Sequence, residues 1–454
     1  MFVGRENELK DIKKILGKPG NHAIMLYGKR RIGKSSLILR ALSQVKCKVV
    51  YYECVLSSLE ANLRGLEKNI SEITHNPYLH FADFFELFNY LGTLREKVIV
   101  VIDEYPYLKQ LEAQGYIDSI MQKIIDNLGG NVDVVLLGSY IGMMKELLEK
   151  ENPLFGRFDL VLNVKSFDYL DSSLFYKGLP VRKKTEFYSV FGGSPFVNCQ
   201  IKIGESLEKN IIDLMLNTNG ILRLYVEHVL LGELRKAGGA NQILAALGNG
   251  HKRYGEIEAM TGGIGNGNLD KQLKNLLEME IVSKVYPINK PDDRRKCFYE
   301  ISDNLVRFYY CYVYGRGDVI MRIGEKSFFK LYVKESLPTF LSHRFEGLAR
   351  EYFMRSAKRN GKIKDVGVFW YDLPKEKKNG EIDIALAYQE GYEFYETKYY
   401  GKKLTKQDVE EAVAKMAYCC NFVNIKKLGV VSLSGFDFSS RAFALLDGER
   451  IYRR

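Results

Sequence analysis

The chain has 454 residues, 46% of them hydrophobic, and carries a formal net charge of +11. This length exceeds one ordinary domain and predicts two or three, each with enough apolar side chains for a buried core. No run of eighteen apolar residues occurs, and the N-terminal segment MFVGRENELKD is charged from Arg5 onward, so we expect a cytoplasmic chain without a membrane span or an export signal.

The net charge and the cysteine spacing indicate which partners and which structural sites to expect. An excess of 67 Lys and Arg over 56 Asp and Glu favours a polyanionic partner, although a solvated basic surface gives the same figure. The seven cysteines are scattered and never spaced C-x-x-C. The sequence therefore indicates neither a disulfide framework nor a zinc site.

A phosphate-binding loop follows the first predicted strand. The segment AIMLYGKRRIGKSSLILRAL runs from an apolar strand through GxxxxGKS into a helical pattern. Such a loop binds phosphate because its backbone N–H groups and a helix N-terminus face the anion. Lys34 is expected to reach the β and γ phosphates of ATP, and the Ser35 hydroxyl to ligate Mg²⁺. The predicted ATP contacts are Gly28, Lys29, Arg30, Arg31, Ile32, Gly33, Lys34, Ser35 and Ser36.

Two carboxylates end a later buried strand. The apolar run in KVIVVIDEYPYL closes with Asp103 and Glu104, and the carboxyl ends of parallel strands face the ligand crevice of an open α/β sheet. Asp103 is predicted to hold the magnesium shell, and Glu104 to orient or deprotonate the attacking water. Ser139, after the next strand VDVVLLGSY, is predicted to sense the γ phosphate or to position the water.

Arg157 lies in the segment ENPLFGRFDLVL, just before another strand. One interpretation is an arginine finger that contacts the nucleotide of a neighbouring subunit, which requires a homo-oligomer. The other is a surface arginine in a turn.

Taken in order, these motifs resemble the archaeal-type P-loop ATPases of the AAA-like branch, close to the regulatory STAND proteins. The segments FVGRENEL, GKRRIGKSS, VIVVIDEYPYL, LLGSYIGMM, PLFGRF and FGGSPFV carry the resemblance over roughly the first 200 residues. The resemblance implies an α/β core with a helical lid, ATP and Mg²⁺ as cofactors, and adenine contacts from Val3, Gly4 and Arg5.

A winged helix is predicted after the lid. Three helical segments are followed by the strand-like runs SKVYPIN and KCFYEIS, which is the order of elements in that fold. The third helix is expected to enter the major groove of DNA, and arginines of the wing to touch phosphate. The predicted contacts are Asn268, Lys271, Gln272, Lys274, Arg294 and Arg295. Because winged helices also dock proteins, that alternative stays open.

The segment EIDIALAYQEGYEFYETKYY, residues 381–400, predicts two adjacent strands. Alternation places Asp383, Glu396 and Lys398 on one face, where two neighbouring carboxylates repel unless a cation lies between them. A turn at Gln389-Glu390 sets Asp383 opposite Glu396, and a turn at Glu390-Gly391 sets Asp383 opposite Lys398. The opposite face is expected to carry Ile382, Ile384 and Leu386.

An acidic residue, then E-x-K on the next strand, then a helix, is similar to the pattern of the PD-(D/E)xK nuclease superfamily. The resemblance implies metal-dependent phosphodiester cleavage with Mg²⁺ or Mn²⁺, with Asp383, Glu396 and Lys398 as catalytic residues. It adds Glu346, from the upstream segment SHRFEGLAREYF, to Asp383 and Glu396 as a metal ligand. An inactive relative, or a cross-strand ion pair on a solvated face, is the alternative.

The predicted fold class is α/β: a P-loop parallel sheet with a helical lid, a winged helix and a small α/β PD-(D/E)xK-like domain. The expected boundaries are 1–165, 166–236, 237–335 and 336–454. The predicted function is ATP hydrolysis together with DNA binding and cleavage. The competing hypothesis is a STAND-like switch that binds DNA or protein and has an inactive last domain.

Overall fold

The computed structural model describes residues 2–111, 115–230, 239–262, 268–291, 293, 296–373 and 378–454. The chain divides into two units, residues 1–166 and 167–454. The finer boundaries within the second unit stay predictions. Among the described residues, no helix combines the length and the apolar composition that crossing a membrane requires.

The first unit is built on a parallel sheet with helices on both faces. Its elements are α1 (Glu6–Leu16), β1 (Ala23–Tyr27), α2 (Lys34–Leu42), β2 (Lys48–Glu53), α3 (Leu59–Thr74), α4 (Phe84–Gly92), β3 (Val98–Asp103), α5 (Pro106–Lys109), α6 (Tyr116–Asp126), β4 (Val132–Gly138), α7 (Ile141–Glu146) and β5 (Leu160–Asn163). The strand order is β2-β3-β4-β1-β5, with every pair parallel.

The central strands of this sheet are buried along their whole length, as the continuous apolar runs predict. Every residue of β1, β3 and β4 is buried. Since β4 separates β3 from β1, the carboxyl ends of all three strands meet at one edge of the sheet. That edge brings the phosphate loop, Asp103 and Ser139 together.

The second unit begins with short helices. These are α8 (Tyr169–Ser172), α9 (Val181–Phe191), α10 (Pro195–Gln200), α11 (Leu207–Ile211) and α12 (Ile221–Leu224). Two π-helical turns, Ile212–Leu216 and Tyr225–Leu230, continue α11 and α12. Side chains of this helical segment and of the elements that follow share one apolar core.

The winged-helix order predicted from the sequence is present. The elements are α13 (Ala240–Leu247), β6 (Lys252–Arg253), α14 (Tyr254–Met260), α15 (Asn268–Glu278), β7 (Val282–Val285) and β8 (Phe298–Ile301). The three strands form an antiparallel sheet in the order β6-β8-β7. The sequence did not predict β6, because two residues are too few to show an alternating pattern.

A helical connector leads to a mixed sheet. The elements are α16 (Asn304–Phe308), α17 (Gly317–Ile323), α18 (Glu325–Phe328), α19 (Leu337–Arg359), β9 (Asp365–Leu373), β10 (Lys378–Tyr388), β11 (Gly391–Lys398), α20 (Lys406–Ala417), β12 (Ile425–Ser432), β13 (Ala444–Asp447) and α21 (Gly448–Ile451). The strand order is β13-β12-β11-β10-β9, antiparallel from β9 to β11 and parallel from β11 to β13.

The wing, which is the segment between β7 and β8, contacts the edge of this mixed sheet. Pro287 forms a bridge with Val368 of β9, and the Ile288 N–H donates to the Val368 carbonyl at 2.8 Å. A Cβ atom at Gly367 would lie 2.5 Å from Ile288 Cγ2, so only glycine allows this approach. The wing therefore covers an edge strand that otherwise exposes unpaired backbone groups.

Glu351 of α19 is a half-buried residue whose carboxyl group makes stability depend on pH. The Tyr188 hydroxyl donates to both carboxyl oxygens of Glu351, at 2.8 and 2.9 Å. Burial raises the pKa of Glu351 to about 7. The unfolded chain releases this proton near pH 4.5, whereas the folded chain keeps it until about pH 7. Stability is therefore lost as pH rises through this window, by up to about 3 kcal/mol.

We expect Glu351→Gln to remove this loss, because the amide stays neutral at every pH. Denaturant unfolding, followed through the fluorescence of the single tryptophan, Trp370, should show the variant gaining stability relative to wild type between about pH 5 and about pH 8. Glu335→Gln, at an exposed position, is the control. Parallel pH profiles for wild type and Glu351→Gln would contradict the assignment.

Candidate functional site

The loop from Gly28 to Gly33 joins β1 to α2 as predicted. Gly28 has a φ of 153°, and a Cβ atom there would lie 2.3 Å from the Val164 carbonyl oxygen, so this position requires glycine. The Lys34 ammonium donates to the carbonyls of Gly28 and Lys29, at 2.9 and 3.1 Å. The lysine is 6% exposed, so its charge is held inside the loop.

The other loop residues differ in what they offer a ligand. Ile32 is 2% exposed and packs in the core, so its side chain is not offered to a nucleotide. Arg31 and Ser36 are exposed, and Arg31 has a left-handed backbone with a φ of 59°. As nucleotide contacts, all of these residues stay predictions.

Ser35 and Asp103 meet although they are 68 residues apart in the chain. The Ser35 hydroxyl donates to Asp103 Oδ2 at 2.7 Å, and the Tyr51 hydroxyl donates to the same oxygen. A hydroxyl and a carboxylate at the mouth of a phosphate loop are the oxygen ligands that Mg²⁺ takes together with phosphates and water. These two side chains therefore fit the predicted magnesium role, whereas the sequence did not identify Tyr51.

Glu104 contacts Ser139 directly across the sheet edge. The Ser139 hydroxyl lies 2.7 Å from both carboxylate oxygens, and its N–H donates to Oε2 at 3.2 Å. Glu104 has a φ of 53°, a strained conformation for a residue with a side chain, of the kind that clusters at active sites. The predicted base and the predicted γ-phosphate sensor thus form one hydrogen-bonded pair.

Arg30 connects the loop to this pair. Its Nε donates to Ser139 Oγ at 3.3 Å, and its Nη2 donates to the hydroxyls of Tyr107 and Tyr140 at 2.8 and 3.2 Å. The sequence predicted Arg30 only as one loop contact among nine. The two tyrosines were missed although both lie in quoted motif segments, since only the folded sheet edge brings their side chains near the loop.

The N-terminal segment lies against the same loop. The Arg5 Nη2 donates to the carbonyls of Lys165 and Ile32, at 2.5 and 3.4 Å, and Arg5 is 8% exposed. Gly4, with a φ of 65°, and the half-buried Val3 precede it. Arg5 thus ties the N-terminus to the phosphate loop, while the adenine contacts of the three residues stay predictions.

Arg157 pairs with a carboxylate of its own chain. Its Nε and Nη2 lie 2.9 and 3.0 Å from the two oxygens of Asp126, and the arginine lowers the pKa of that carboxyl group. A role on a neighbouring subunit's nucleotide would have to break this fork-shaped pair. The finger role and the homo-oligomer stay predictions.

The recognition helix α15 exposes three of its predicted contacts, Asn268 among them, and buries a fourth. Lys271 and Lys274 are exposed, whereas Gln272 is 5% exposed and donates to Asn268 Oδ1 at 3.3 Å. The prediction of a DNA contact at Gln272 is wrong for this structure, because helical periodicity places it with Leu269, Leu273 and Leu276 on the buried face. Arg294 and Arg295 lie outside the described residues.

The C-terminal hairpin adopts the first of the two alternative registers. Tyr388 pairs with Gly391 and Ile384 with Tyr395, so the turn is Gln389-Glu390. The paired residues end at the second of these pairs, one step before Asp383 and Glu396. The Asp383 side chain is held by the neighbouring strand: Thr397 donates its N–H and its hydroxyl to Asp383 Oδ2, at 2.8 and 2.7 Å.

The predicted single apolar face is wrong. A β-bulge interrupts β10 between Ile382 and Ala385. Ile382 consequently packs in the cluster under α20, whereas Ile384 and Leu386 pack in the cluster under α19. An extra residue in one strand moves every later side chain of that strand to the opposite face of the sheet. The alternation of the sequence alone does not reveal such a residue.

Asp383 lies among other carboxylates. Burial, and then the neighbouring Glu396 and Glu346, raise the pKa of Asp383 to about 7. Lys398 Nζ lies 3.2 Å from Glu396 Oε1, so the lysine neutralises that carboxylate. The structure thus brings the four predicted residues of this site into one neighbourhood.

The fit of this neighbourhood to a metal ion is incomplete. Among the described residues, no group of three acidic, histidine or cysteine side chains converges closely enough to hold a metal. Asp383 is engaged by Thr397, and Glu396 by Lys398. To bind a metal ion, Asp383 and Glu396 would each have to exchange one of these partners, so the C-terminal metal site stays a prediction.

Three family models match successive parts of the chain. Residues 2–197 match an ATPase domain predominantly from Archaea, residues 240–304 an HxlR-like helix-turn-helix, and residues 309–412 a family of archaeal and bacterial proteins of unknown function. These matches confirm the predicted fusion of an archaeal-type ATPase domain to a C-terminal domain of unknown function. They also support the winged helix, whereas the PD-(D/E)xK relationship stays a prediction.

Three proteins match the chain over longer spans. The chain is 29% identical over 395 residues to an uncharacterized protein of Methanocaldococcus jannaschii, covering 85% of this chain and 84% of that one. The Walker-type ATPase of Pyrococcus abyssi superposes with a TM-score of 0.53 at 22% identity, covering 68% of this chain and 96% of that chain. The Aeropyrum pernix ORC2 protein superposes with a TM-score of 0.47 at 13% identity, covering 70% and 94%.

Proposed function

We propose that this chain binds ATP at the Gly28–Ser35 loop, hydrolyses it with Glu104 as the base, and binds DNA through its winged helix. The observation that carries the proposal is the convergence of Lys34, Ser35, Asp103 and Glu104 at one sheet edge, with Ser35 and Asp103 in direct contact at 2.7 Å. The match of residues 2–197 to an ATPase domain supports it.

Each residue of the edge has a chemical task in this proposal. Lys34 offers a buried positive charge to the phosphates, and Ser35 and Asp103 hold Mg²⁺. When bound, Mg²⁺ neutralises charge on the phosphate oxygens. Glu104 accepts the proton of the attacking water, and Ser139 orients Glu104 through the bonds at 2.7 Å.

The direct test measures ATP turnover by the whole chain, and duplex DNA binding with ATP, with ADP and without nucleotide. We expect turnover, and a DNA affinity that differs between the nucleotide states. Absence of both ATP binding and turnover would refute the proposal for the first unit. Turnover and nucleotide-dependent partner binding without any DNA affinity would favour the STAND-like switch acting on protein.

The lysines of α15 provide the test of DNA binding. Replacing both Lys271 and Lys274 by glutamine should weaken binding to every duplex sequence, because the lost contacts are to phosphate. The slope of log affinity against log salt should become shallower by about two. Fluorescence anisotropy of a labelled duplex at several salt concentrations measures both changes.

The matched control removes two charges from another exposed helix. Lys13 and Lys14 of α1 are exposed, and their replacement by glutamine should leave affinity and slope unchanged. Equal losses in the two double variants would show that net charge, and not α15, governs the binding.

A second candidate function is phosphodiester cleavage by the C-terminal domain. Three carboxylates, Asp383, Glu396 and Glu346, lie near one another, and Lys398 contacts Glu396 at 3.2 Å. This is the residue set of the PD-(D/E)xK pattern, and its proximity favours the proposal. Wild-type protein should shorten plasmid or oligonucleotide substrates in buffers with Mg²⁺ or Mn²⁺, and intact substrates under all these conditions would exclude cleavage.

A further inference from the structure

A cleft of about 460 Å³ lies within the second unit, between the winged helix and the C-terminal sheet. The winged helix contributes residues 249–252 and β8, and the opposite walls come from α19, β9 and β10. A cavity of this size holds one or two nucleotides but not a duplex. The bridge and the hydrogen bond between the wing and β9 join two of its walls.

Arginines line the wall that the winged helix, α16 and α19 form. The Arg307 Nη1 lies 3.2 Å from Glu300 Oε2, and the Arg344 Nη2 lies 3.7 Å from the same oxygen. The Arg350 Nη1 donates to the Asp383 carbonyl at 3.3 Å. One carboxylate is thus shared by two guanidinium groups.

Arg344 has one side-chain donor on this wall that is not hydrogen-bonded to any described residue. Its side chain is 9% exposed, and its Nε has no hydrogen-bond partner among the described residues. A buried donor without a partner is destabilising, so a ligand that supplies an acceptor is favoured at this position. Phosphate oxygens suit it, because guanidinium groups bind them through paired hydrogen bonds.

Arg307 and Arg344 also line a second hollow of about 270 Å³ on the other side. The two arginines therefore lie between the cleft and this hollow.

Aromatic rings form another wall of the cleft. The rings of Phe298 and Trp370 meet edge to face with centroids 4.8 Å apart, and His251 meets Phe298 at 4.7 Å. All three residues line the cleft. Aromatic side chains beside arginines are the surface on which nucleic-acid bases stack.

The remaining wall is acidic. Glu346, Glu381 and Asp383 line the cleft, and they disfavour a second phosphate near them. Hydroxyl groups of a ribose suit these carboxylates, because they donate hydrogen bonds.

We propose that this cleft binds a nucleoside phosphate with a single phosphate group. The phosphate contacts Arg307, Arg344 and Arg350, and the base lies against Trp370 and Phe298. The source is either a free nucleotide or the terminal nucleotide of a strand. The proposal does not depend on phosphodiester cleavage or on ATP binding by the first unit.

The test uses the fluorescence of Trp370, the single tryptophan of the chain, which lines the cleft. The 454-residue chain carries Lys34→Ala, so that nucleotide binding at the phosphate loop is removed. The probes are AMP, adenosine, and one short oligonucleotide with either a 5′-phosphate or a 5′-hydroxyl. We expect a saturable change with a phosphorylated probe and none with adenosine or the 5′-hydroxyl strand.

The probes separate the two sources. Saturation by AMP alone identifies a free nucleotide, and tighter binding of the 5′-phosphorylated strand identifies a strand end. Arg344→Gln and Arg350→Gln should each weaken binding about tenfold or more. Arg359→Gln, an exposed position on the same helix, is the matched control and should bind like the parent.

Glu300→Gln distinguishes binding from general damage to the fold. Because Glu300 competes for two of the arginines, its neutralisation should tighten phosphate binding, whereas loss of structure would weaken it. No saturable response to any phosphorylated probe would overturn the proposal. Affinities unchanged in both arginine variants would overturn it too.

Discussion

Glu104→Gln is expected to bind ATP with nearly wild-type affinity and to hydrolyse it about 10²–10⁴-fold more slowly. The amide has the size of the carboxyl group, and its oxygen still accepts the hydrogen bond that the Ser139 hydroxyl donates. It cannot, however, accept the proton of the attacking water. The phosphate contacts proposed for Lys34, Ser35 and Asp103 are unaffected. Measured kcat should therefore fall while the nucleotide Kd stays constant.

Two variants make this result specific. Lys34→Ala should lose ATP binding itself, because it removes the buried charge held inside the loop. Glu96→Gln, at an exposed position before β3, should behave as wild type. Turnover by Glu104→Gln close to the wild-type rate would show that another group activates the water.

Asp383→Asn and Glu396→Gln are each expected to lower phosphodiester cleavage by about 10²-fold or more. Both changes remove charge at the position where β10 and β11 place their carboxyl groups beside Lys398. The fold should tolerate Asp383→Asn, because the amide oxygen still accepts the two bonds from Thr397. Gel analysis of plasmid cleavage with Mg²⁺ or Mn²⁺ measures the change.

Glu393→Gln is the matched control for this pair. It makes the same chemical change on the same strand, and Glu393 contacts Tyr395 instead of the cluster. We expect its cleavage rate to equal that of wild type. Cleavage that survives in Asp383→Asn with Glu396→Gln would assign the activity to other residues or to a contaminant.

In the first unit, local sequence patterns were sufficient to predict the buried strands and the phosphate loop. The strands around Ile24, Val100 and Val135 were predicted because continuous apolar runs suit strands buried on both faces. The loop from Gly28 to Ser35 was predicted because its spacing follows from backbone geometry within eight residues. The contact between Ser35 and Asp103 follows from placing the carboxyl ends of parallel strands at one edge.

Gln272 and Ile382 show where pattern fails. Gln272 is polar but falls on the buried face of α15, and polarity alone suggested a DNA contact. Ile382 alternates correctly in the sequence, yet the bulge in β10 turns it to the face under α20. Side-chain facing depends on how each element packs, which the local sequence specifies only in part.

By itself, the sequence determined the phosphate loop, the two carboxylates that end β3 and the order of elements in the winged helix. These features depend on residues close together in the chain and on the regular periods of helix and strand. Only the tertiary structure decided that the wing docks on β9, and that Glu300, Arg307 and Arg344 share one cleft. Such contacts join distant segments, and the burial that leaves the Arg344 Nε without a hydrogen-bond partner among the described residues exists only once the chain is folded.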